Sequence, residues 1–419
     1  MGIKDFHKNI KSNYPKSFSN KFLEFYDHIL IDINFALHYC SYGAKNEEEL
    51  FKRLYSFFDY ILNDLTPTKS LTVASDGVAP LAKLILQRKR RLNITKTEIT
   101  KDFSSIMFTT GSEFMINLEE KLSEYFKFVE KSYCIKVNYM DAKIDEAELK
   151  LKKKIMDIME ENIHDSFIFV TNDADVIIML ATLKNISNVY VYCKSGKENE
   201  ILSMGKLLDE HTTKVGITLN YGNDFALINT MLGNDYLPKI NLLDFNKIWT
   251  AYTDICKYYK DGIITNECKI NKKFLNKLMT YIIISLKKGF IKKIKIDQID
   301  NTIYENYFDG LTWCFNMYNT GICNRYDYMY VNKLNPNPFG IICNIKNKNI
   351  LKLNNTIFDP IDSILYTILV LPQSGKKLIH KKYYDFIDNI NKLKYYNIID
   401  IDLKDILNIV EIFKKYIVE

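Results

Sequence analysis

The first 195 residues hold five short apolar strings, HILIDI, SLTVAS, YCIKVNYM, SFIFVTN and NVYVYC, each rich in β-branched or aromatic residues and bounded by acids or turn formers. Runs of this kind read as strands. Around them, apolar residues recur with helical spacing, which predicts helices over roughly 46–64, 78–92, 112–131, 144–162, 173–183 and 222–232. Ser112 ahead of Glu113 suits a helix cap, and Asp145 and Glu146 place negative charge where a helix start favours it. Strands alternating with helices predict an α/β fold with a mostly parallel sheet flanked by helices.

After Pro238 the strand signal fades. Residues 240–300 show Lys- and Tyr-rich helical patterns, 320–345 read as irregular structure around RYDYMYVNKLNPNPFG, and helix returns from about 360. With no internal repeat or long linker, the chain divides into an α/β core over 1–240 and a mainly helical lobe over 241–419. At 47% hydrophobic and 26% charged residues the chain is globular. A net charge of +6 over 419 residues permits a polyanionic ligand without demanding one. The eight cysteines show no CxxC and no zinc spacing, and several sit in apolar strings such as SYCIKV and LTWCFNM, as small buried hydrophobes do. The expectation is a reduced, intracellular, soluble protein. The start MGIKDFHKNIK lacks a signal core, Phe6 stands where a myristoylation site needs Ser or Thr, and no apolar run reaches membrane-spanning length.

Seven acids stand where a strand stops and a loop or helix begins: Asp32, Asp76, Glu146, Glu148, Asp173, Asp175 and Asp235. In an open α/β sheet, groups at the carboxyl ends of parallel strands converge on one crevice. Carboxylates gathered there repel one another unless cations hold them. Two hard cations about 3.5–4 Å apart activate water and stabilise the leaving oxygen in phosphodiester hydrolysis, and Mg²⁺ or Mn²⁺ prefers carboxylate oxygens. Any one of these acids alone is better read as a turn or cap residue; the set of seven points to metal.

In DGVAPLAKLILQRKRRL, a helix from Val78 puts Lys83, Gln87, Arg90 and Arg91 on one face. A flexible cation, an amide and two guanidiniums suit a terminal phosphate, although an isolated KRR run is more commonly a solvated helix face. Thr109, Thr110 and Gly111 precede a helix start, where backbone N–H groups can meet a phosphate or simply cap the helix. By composition alone His38 reads as structural and Trp313, in GLTWCF, as core.

The chain resembles the XRN-type 5′→3′ exoribonucleases, within the wider flap-endonuclease/PIN-like nuclease superfamily. The strings that carry this run in family order: MGIKDFHKNIKSNYP, ILIDIN, DGVAPLAK followed by QRKRR, TTGSEFM, EAELK, NDADVIIM and LGNDYLP, then FDGLTWCFNMYNTGI and FDPIDSILYTILVLPQSGKKLI. The resemblance covers most of 1–245 and again about 305–380. It implies a PIN/FEN-like sheet, a catalytic domain over 1–240, and a helical second region over 241–419 that completes the pocket. All seven acids would bind two Mg²⁺ or Mn²⁺ ions, and Lys83, Gln87, Arg90 and Arg91 would hold a 5′-monophosphate. His38 and Trp313 would stack on the first bases, and Thr109, Thr110 and Gly111 would touch the substrate strand. Two departures stand out: Leu149 occupies the histidine position of Glu-x-Glu-His-Lys, and Asn172 stands where a Leu is usual.

The activity so implied is metal-dependent 5′→3′ degradation of decapped, 5′-monophosphorylated single-stranded RNA to mononucleotides, by a cytoplasmic monomer without the family's accessory C-terminal domains. A compact, AT-biased sequence of this kind would suit a large DNA virus or a protist. Two other readings remain at this stage: a flap-type structure-specific DNA nuclease, which uses the same acids, and a catalytically silent RNA-binding or scaffold protein.

Overall fold

The β-branched and aromatic side chains of the apolar strings favour a pleated backbone, and all five form strands. The computed structural model describes residues 5–98, 104–195, 198–216, 218, 220–286, 301–332, 334–345, 359–392 and 403–418. Its strands are β1 (Phe18–Ser19), β2 (Tyr26–Asp32), β3 (Pro67–Ala74), β4 (Lys136–Met140), β5 (Phe167–Val170), β6 (Val189–Ser195) and β7 (Glu198–Ser203). The chain forms two compact units, each assembled from three stretches. One takes Leu23–Asn172, Ile322–Met329 and Ile357–Glu419; the other takes Met1–Phe22, Asp173–Gly321 and Tyr330–Thr356.

In the first unit β5, β2, β3 and β4 lie side by side, all parallel. Ile29, Leu30 and Ile31 of β2 and all four residues of β5 are buried, the continuous apolar run of strands covered on both faces. Asp32 pairs with Ala74, and Ala74 with Met140, so β2, β3 and β4 end level. Their carboxyl ends therefore deliver Asp32, Asp76 and the Glu146 loop to one edge. Pairing of β3 with β4 continues past the strands: Gly77 N donates to Asp145 O at 2.7 Å, and Val78 bridges Ile144. Glycine is required there, since a Cβ on Gly77 would lie 2.5 Å from the Ile144 backbone.

Four helices surround this sheet edge. Asp32 caps Ile33–Ser41, accepting from Asn34 N at 2.8 Å, and Asn46 caps Glu47–Leu65, accepting from Glu49 N at 2.9 Å. Helix Leu81–Glu98 starts three residues later than its periodicity predicts, because Val78 is held in the bridge and Pro80 O accepts the first helical bonds. Ala147–Glu161 follows Glu146. The predicted helix over 112–131 is interrupted at Asn117, giving Glu113–Ile116 and Leu118–Tyr133. Cys134, expected to be buried, is instead exposed at the left-handed cap of the latter helix, with φ 54°. The C-terminal helices Ser363–Val370, Tyr384–Lys392 and Leu403–Val418 share a core with the basic helix, in which Leu84 packs among Leu365, Ile368, Leu369, Phe386 and Phe413.

In the second unit β6 and β7 form an antiparallel hairpin, with β1 antiparallel to β7. The apolar periodicity of residues 198–203 was too short to predict β7. Helices Ala174–Leu180, Met204–Val215, Tyr221–Thr230, Phe245–Cys256, Lys272–Ser285 and Asn301–Thr320 complete it. Pro338–Asn344, inside the stretch read as irregular, is a further helix with Pro at its first turn and Asn337 as its cap. Buried Asp224 anchors the unit by accepting from Ile264 N at 2.8 Å, from Thr218 Oγ1 at 3.0 Å and from the Tyr252 hydroxyl. All eight cysteines are free thiols. Among the described residues no helix is long and apolar enough to cross a membrane.

Candidate active site

The seven acids divide between the units, and not all end strands: Asp32 closes β2, Glu148 and Asp175 lie in the first turns of helices, and Asp235, expected at a strand end, instead follows helix Tyr221–Thr230. Asp32, Asp76, Glu146 and Glu148 belong to the first; Asp173, Asp175 and Asp235 belong to the second. In the first, Asp32 Oδ1 caps its own helix, while Asp76 Oδ1 accepts from Ala147 N at 3.0 Å and Asp76 N donates to Asn34 Oδ1 at 3.2 Å. Asp76 thus ties the end of β3 to the start of helix Ala147–Glu161. Burial, then the negative charges of Asp76 and Glu148, hold the Asp32 carboxyl well above the ordinary carboxylate range. The Lys83 ammonium pairs with Glu146 and lies 3.3 Å from Glu148 Oε1, in a setting where these three side chains are 10%, 1% and 14% exposed. Lys83, expected on the phosphate face, therefore also serves as the counter-charge of the acids. Leu149 is buried and packs as an apolar residue, so the histidine's replacement leaves no polar group stranded there.

Beside these acids is a small cavity. Gln87 and Arg91 from the basic helix, Asn34, Asp76, Thr109, Thr110, Glu146 and Tyr366 line it. Arg91 is buried, which lowers its pKa to about 10; Tyr366 and Asp76 act in the opposite direction and Arg90 adds to the lowering, and the group stays cationic at neutral pH. Arg90 lies on the same helix, half-buried, and does not line the cavity. Thr110 Oγ1 donates to Asp76 O at 3.0 Å, and Thr109 Oγ1 donates to Ile106 O at 2.7 Å. Gly111, with φ 78°, is pressed against helix Ser363–Val370, where a Cβ would come within 2.1 Å of Thr367 Oγ1. The His38 ring stands edge-on to Phe108 at 5.3 Å, exposed at its edge although neighbouring atoms crowd it. That crowding and the Arg91 charge hold its pKa below the ordinary value, so it is neutral at pH 7.

In the second unit Asp173 caps helix Ala174–Leu180 through a 2.9 Å bond from Asp175 N. Asp235 sits in a turn built by Asn234, whose Oδ1 accepts from Tyr236 N and Leu237 N at 3.0 and 2.8 Å. Asn234 Nδ2 lies 3.2 Å from the Tyr318 hydroxyl. Burial, then the charges of Asp175, Cys314, Asp173 and Asp235, raise the Tyr318 pKa well above its ordinary value. Trp313 is 1% exposed, with Tyr236 edge-on at 5.4 Å. The core assignment describes its place here, and the stacking role implied by resemblance finds no open ring face.

Sequence reasoning did not single out Tyr366, Asn34, Tyr318 or Asn234. Asn34 and Asn234 are adjacent to or two residues from named acids, which is a usable signal; nothing local marks Tyr366 or Tyr318.

A hard divalent ion fits the donor set of the first unit. The donors are carboxylates, and the raised Asp32 carboxyl reports negative charge that a cation would relieve. Among the described residues no three His, Cys, Asp or Glu side chains are already gathered for a metal; the cation against Glu146 and Glu148 is Lys83.

Carboxylates beyond the ends of parallel strands thus stand next to a cavity lined by a buried guanidinium in an α/β protein. Residues 1–193 match the family model described as XRN 5'-3' exonuclease N-terminus. The chain is 24% identical over 345 residues to 5'-3' exoribonuclease 1 of Saccharomyces cerevisiae, a match covering 67% of this chain and 22% of the yeast protein. To 5'-3' exoribonuclease 2 of Gallus gallus it is 30% identical over 130 residues, 24% of this chain and 14% of that one. The chain therefore spans only about a fifth of the length of the yeast relative. Among solved structures, the catalytic core of Rad2 in complex with DNA substrate aligns with a TM-score of 0.40 at 12% identity, covering 93% of this chain and 100% of that one. The T5 D15 protein co-crystallized with metal ions aligns with a TM-score of 0.33 at 11% identity, covering 91% and 98%.

Proposed function

We propose that the chain is a divalent-metal-dependent 5′→3′ exoribonuclease that takes single-stranded RNA by its 5′-monophosphate and releases mononucleotides. The observation that carries this reading is the cavity in which Arg91, Gln87 and Thr110 meet Asp76 and Glu146. A cationic recess for a phosphate and acids for the scissile bond lie on one sheet edge. A recess that takes a terminal phosphate rather than a chain interior supports the reading of an exonuclease working from the 5′ end.

Asp32, Asp76, Glu146 and Glu148 in one unit, and Asp173, Asp175 and Asp235 in the other, are the proposed ligands of two Mg²⁺ or Mn²⁺ ions. When bound, such ions supply an activated water and charge stabilisation at the leaving oxygen. The chain's own contributions are positional. Arg91 and Gln87 fix the terminal phosphate, Lys83 neutralises Glu146 and Glu148, and neutral His38 offers a ring to the first base. Tyr366 and Val370 on the cavity wall support the reading of the C-terminal region as the part that completes the pocket of the 1–240 domain.

The test is degradation of one RNA sequence carrying a 5′-monophosphate, hydroxyl, triphosphate or cap, with Mg²⁺, with Mn²⁺ and with chelator. The monophosphate should be degraded fastest, to mononucleotides and only with a divalent ion. Equal rates on all four ends would refute the pocket. Oligonucleotides cut from branched DNA would favour the flap-type alternative, and binding without turnover on any nucleic acid the silent scaffold.

A further inference from the structure

Helix Ser363–Val370 is tied to the segments beside the cavity by two hydrogen bonds within one unit and is capped by its own Asp362. Thr367 Oγ1 donates to Thr110 O, Arg88 donates to Leu369 O at 2.8 Å, and Asp362 caps the helix by accepting from Ile364 N at 2.8 Å. Arg88 is fully buried, so that contact is shielded from water. Contact with Gly111 removes any remaining slack, because no side chain fits there. The residue this fastened helix turns into the cavity is Tyr366, 3% exposed.

Tyr366 lines the cavity together with Asp76, Ala79, Gln87 and Arg91. A phenol has one O–H to give. Burial raises the Tyr366 pKa, so it remains a donor at working pH. Gln87, Arg91 and the phenol thus converge on one small volume, and the phenyl ring forms part of its wall.

We infer that Tyr366 is a specificity-determining residue, donating its hydroxyl to the 5′-terminal phosphate and setting with its ring the depth that admits one phosphate and rejects a longer chain. This rests on the cavity being the 5′-phosphate site. No local pattern announces the role: the residue lies in an apolar helix some 280 positions from the basic helix it faces.

The test uses the full chain with Mg²⁺ and matched RNAs ending in monophosphate, hydroxyl or triphosphate. In Tyr366→Phe the KM for monophosphate RNA should rise about tenfold, as for loss of one hydrogen bond to a charged group, with kcat and the hydroxyl-ended rate unchanged. In Tyr366→Ala the triphosphate-to-monophosphate ratio of kcat/KM should rise about tenfold or more, because the wall is gone. Thermal melts accompany both, and if the Ala variant fails to fold, the isosteric Phe variant decides. Wild-type indifference to the 5′ end overturns the pocket reading and this inference with it. Wild-type discrimination kept intact in the variants, or rates falling equally on all ends along with Tm, overturns the role of Tyr366 alone.

Discussion

Replacing Lys83 with Met tests the acid cluster through stability before any catalysis is measured. Met keeps the apolar stem and removes the ammonium that meets Glu146 and Glu148. Removing one partner of a buried ion pair costs about 3–5 kcal/mol, because the other charge stays buried without compensation. Glu148 is 14% exposed and at the longer distance of 3.3 Å, so the lower end, about 3 kcal/mol, applies. For a domain of about 150–250 residues that corresponds to a Tm lower by roughly 6–12 °C in chelator. If these acids bind divalent ions, Mg²⁺ or Mn²⁺ at about 100 times its Kd raises the variant's stability by about 2.7 kcal/mol above its own value in EDTA. Scanning fluorimetry of wild type and variant in EDTA and across a metal titration reads both effects. A variant as stable as wild type in EDTA would show that the ammonium is not the counter-charge. A variant whose Tm no divalent ion raises above its value in EDTA would refute the metal site in this unit. Acidification should also shrink the deficit, since protonating either glutamate removes the stranded charge.

Gly111→Ala should destabilise by at least about 1–2 kcal/mol from the left-handed backbone alone, with more from displacing Thr367, as read by urea denaturation. Asp224, with its carboxyl pushed up to about 6 by burial, holds a proton in the native state that the unfolded chain releases near 3.8. Stability should therefore fall by up to about 3 kcal/mol as pH rises through that window and level off above it. Asp224→Asn should flatten the profile, and an unchanged slope would exclude Asp224 as its source. Trp313→Ala should cost about 3–5 kcal/mol as a core truncation, whereas a variant of normal Tm with impaired RNA cleavage would restore the base-stacking role. His38→Phe should retain RNA affinity, and His38→Ala should lose about 1–3 kcal/mol of binding with little change in Tm, measured by fluorescence anisotropy in chelator.

The strands and most helices were legible because local chemistry dictates them. Asp32 reads as a strand end from HILIDIN and serves as a helix cap, and Asn46, Ser112 and Asp173 cap helices where their sequence says they should. Errors of register arose where a distant contact overrode local periodicity. Val78 has helical spacing but is held by Ile144, 66 positions on, and the helix waits for Pro80. Trp313 is buried, as composition predicts, and its base-stacking role rests on the resemblance alone.

What the amino-acid order determined by itself is the alternation of strand and helix, Asp32 at the end of β2 and the cationic residues of the basic helix, all properties of neighbours a few residues apart. What only the tertiary structure decided is which groups those side chains meet. Lys83 points at the acids rather than at solvent, Gly111 is closed off by Thr367, and Tyr366 walls the cavity beside Arg91. The reason is physical: these partners lie tens to hundreds of positions apart, Arg88 and Leu369 being separated by 281. They are brought together by burying the apolar faces of Leu84, Leu365 and Ile368, a nondirectional force that no local spacing encodes.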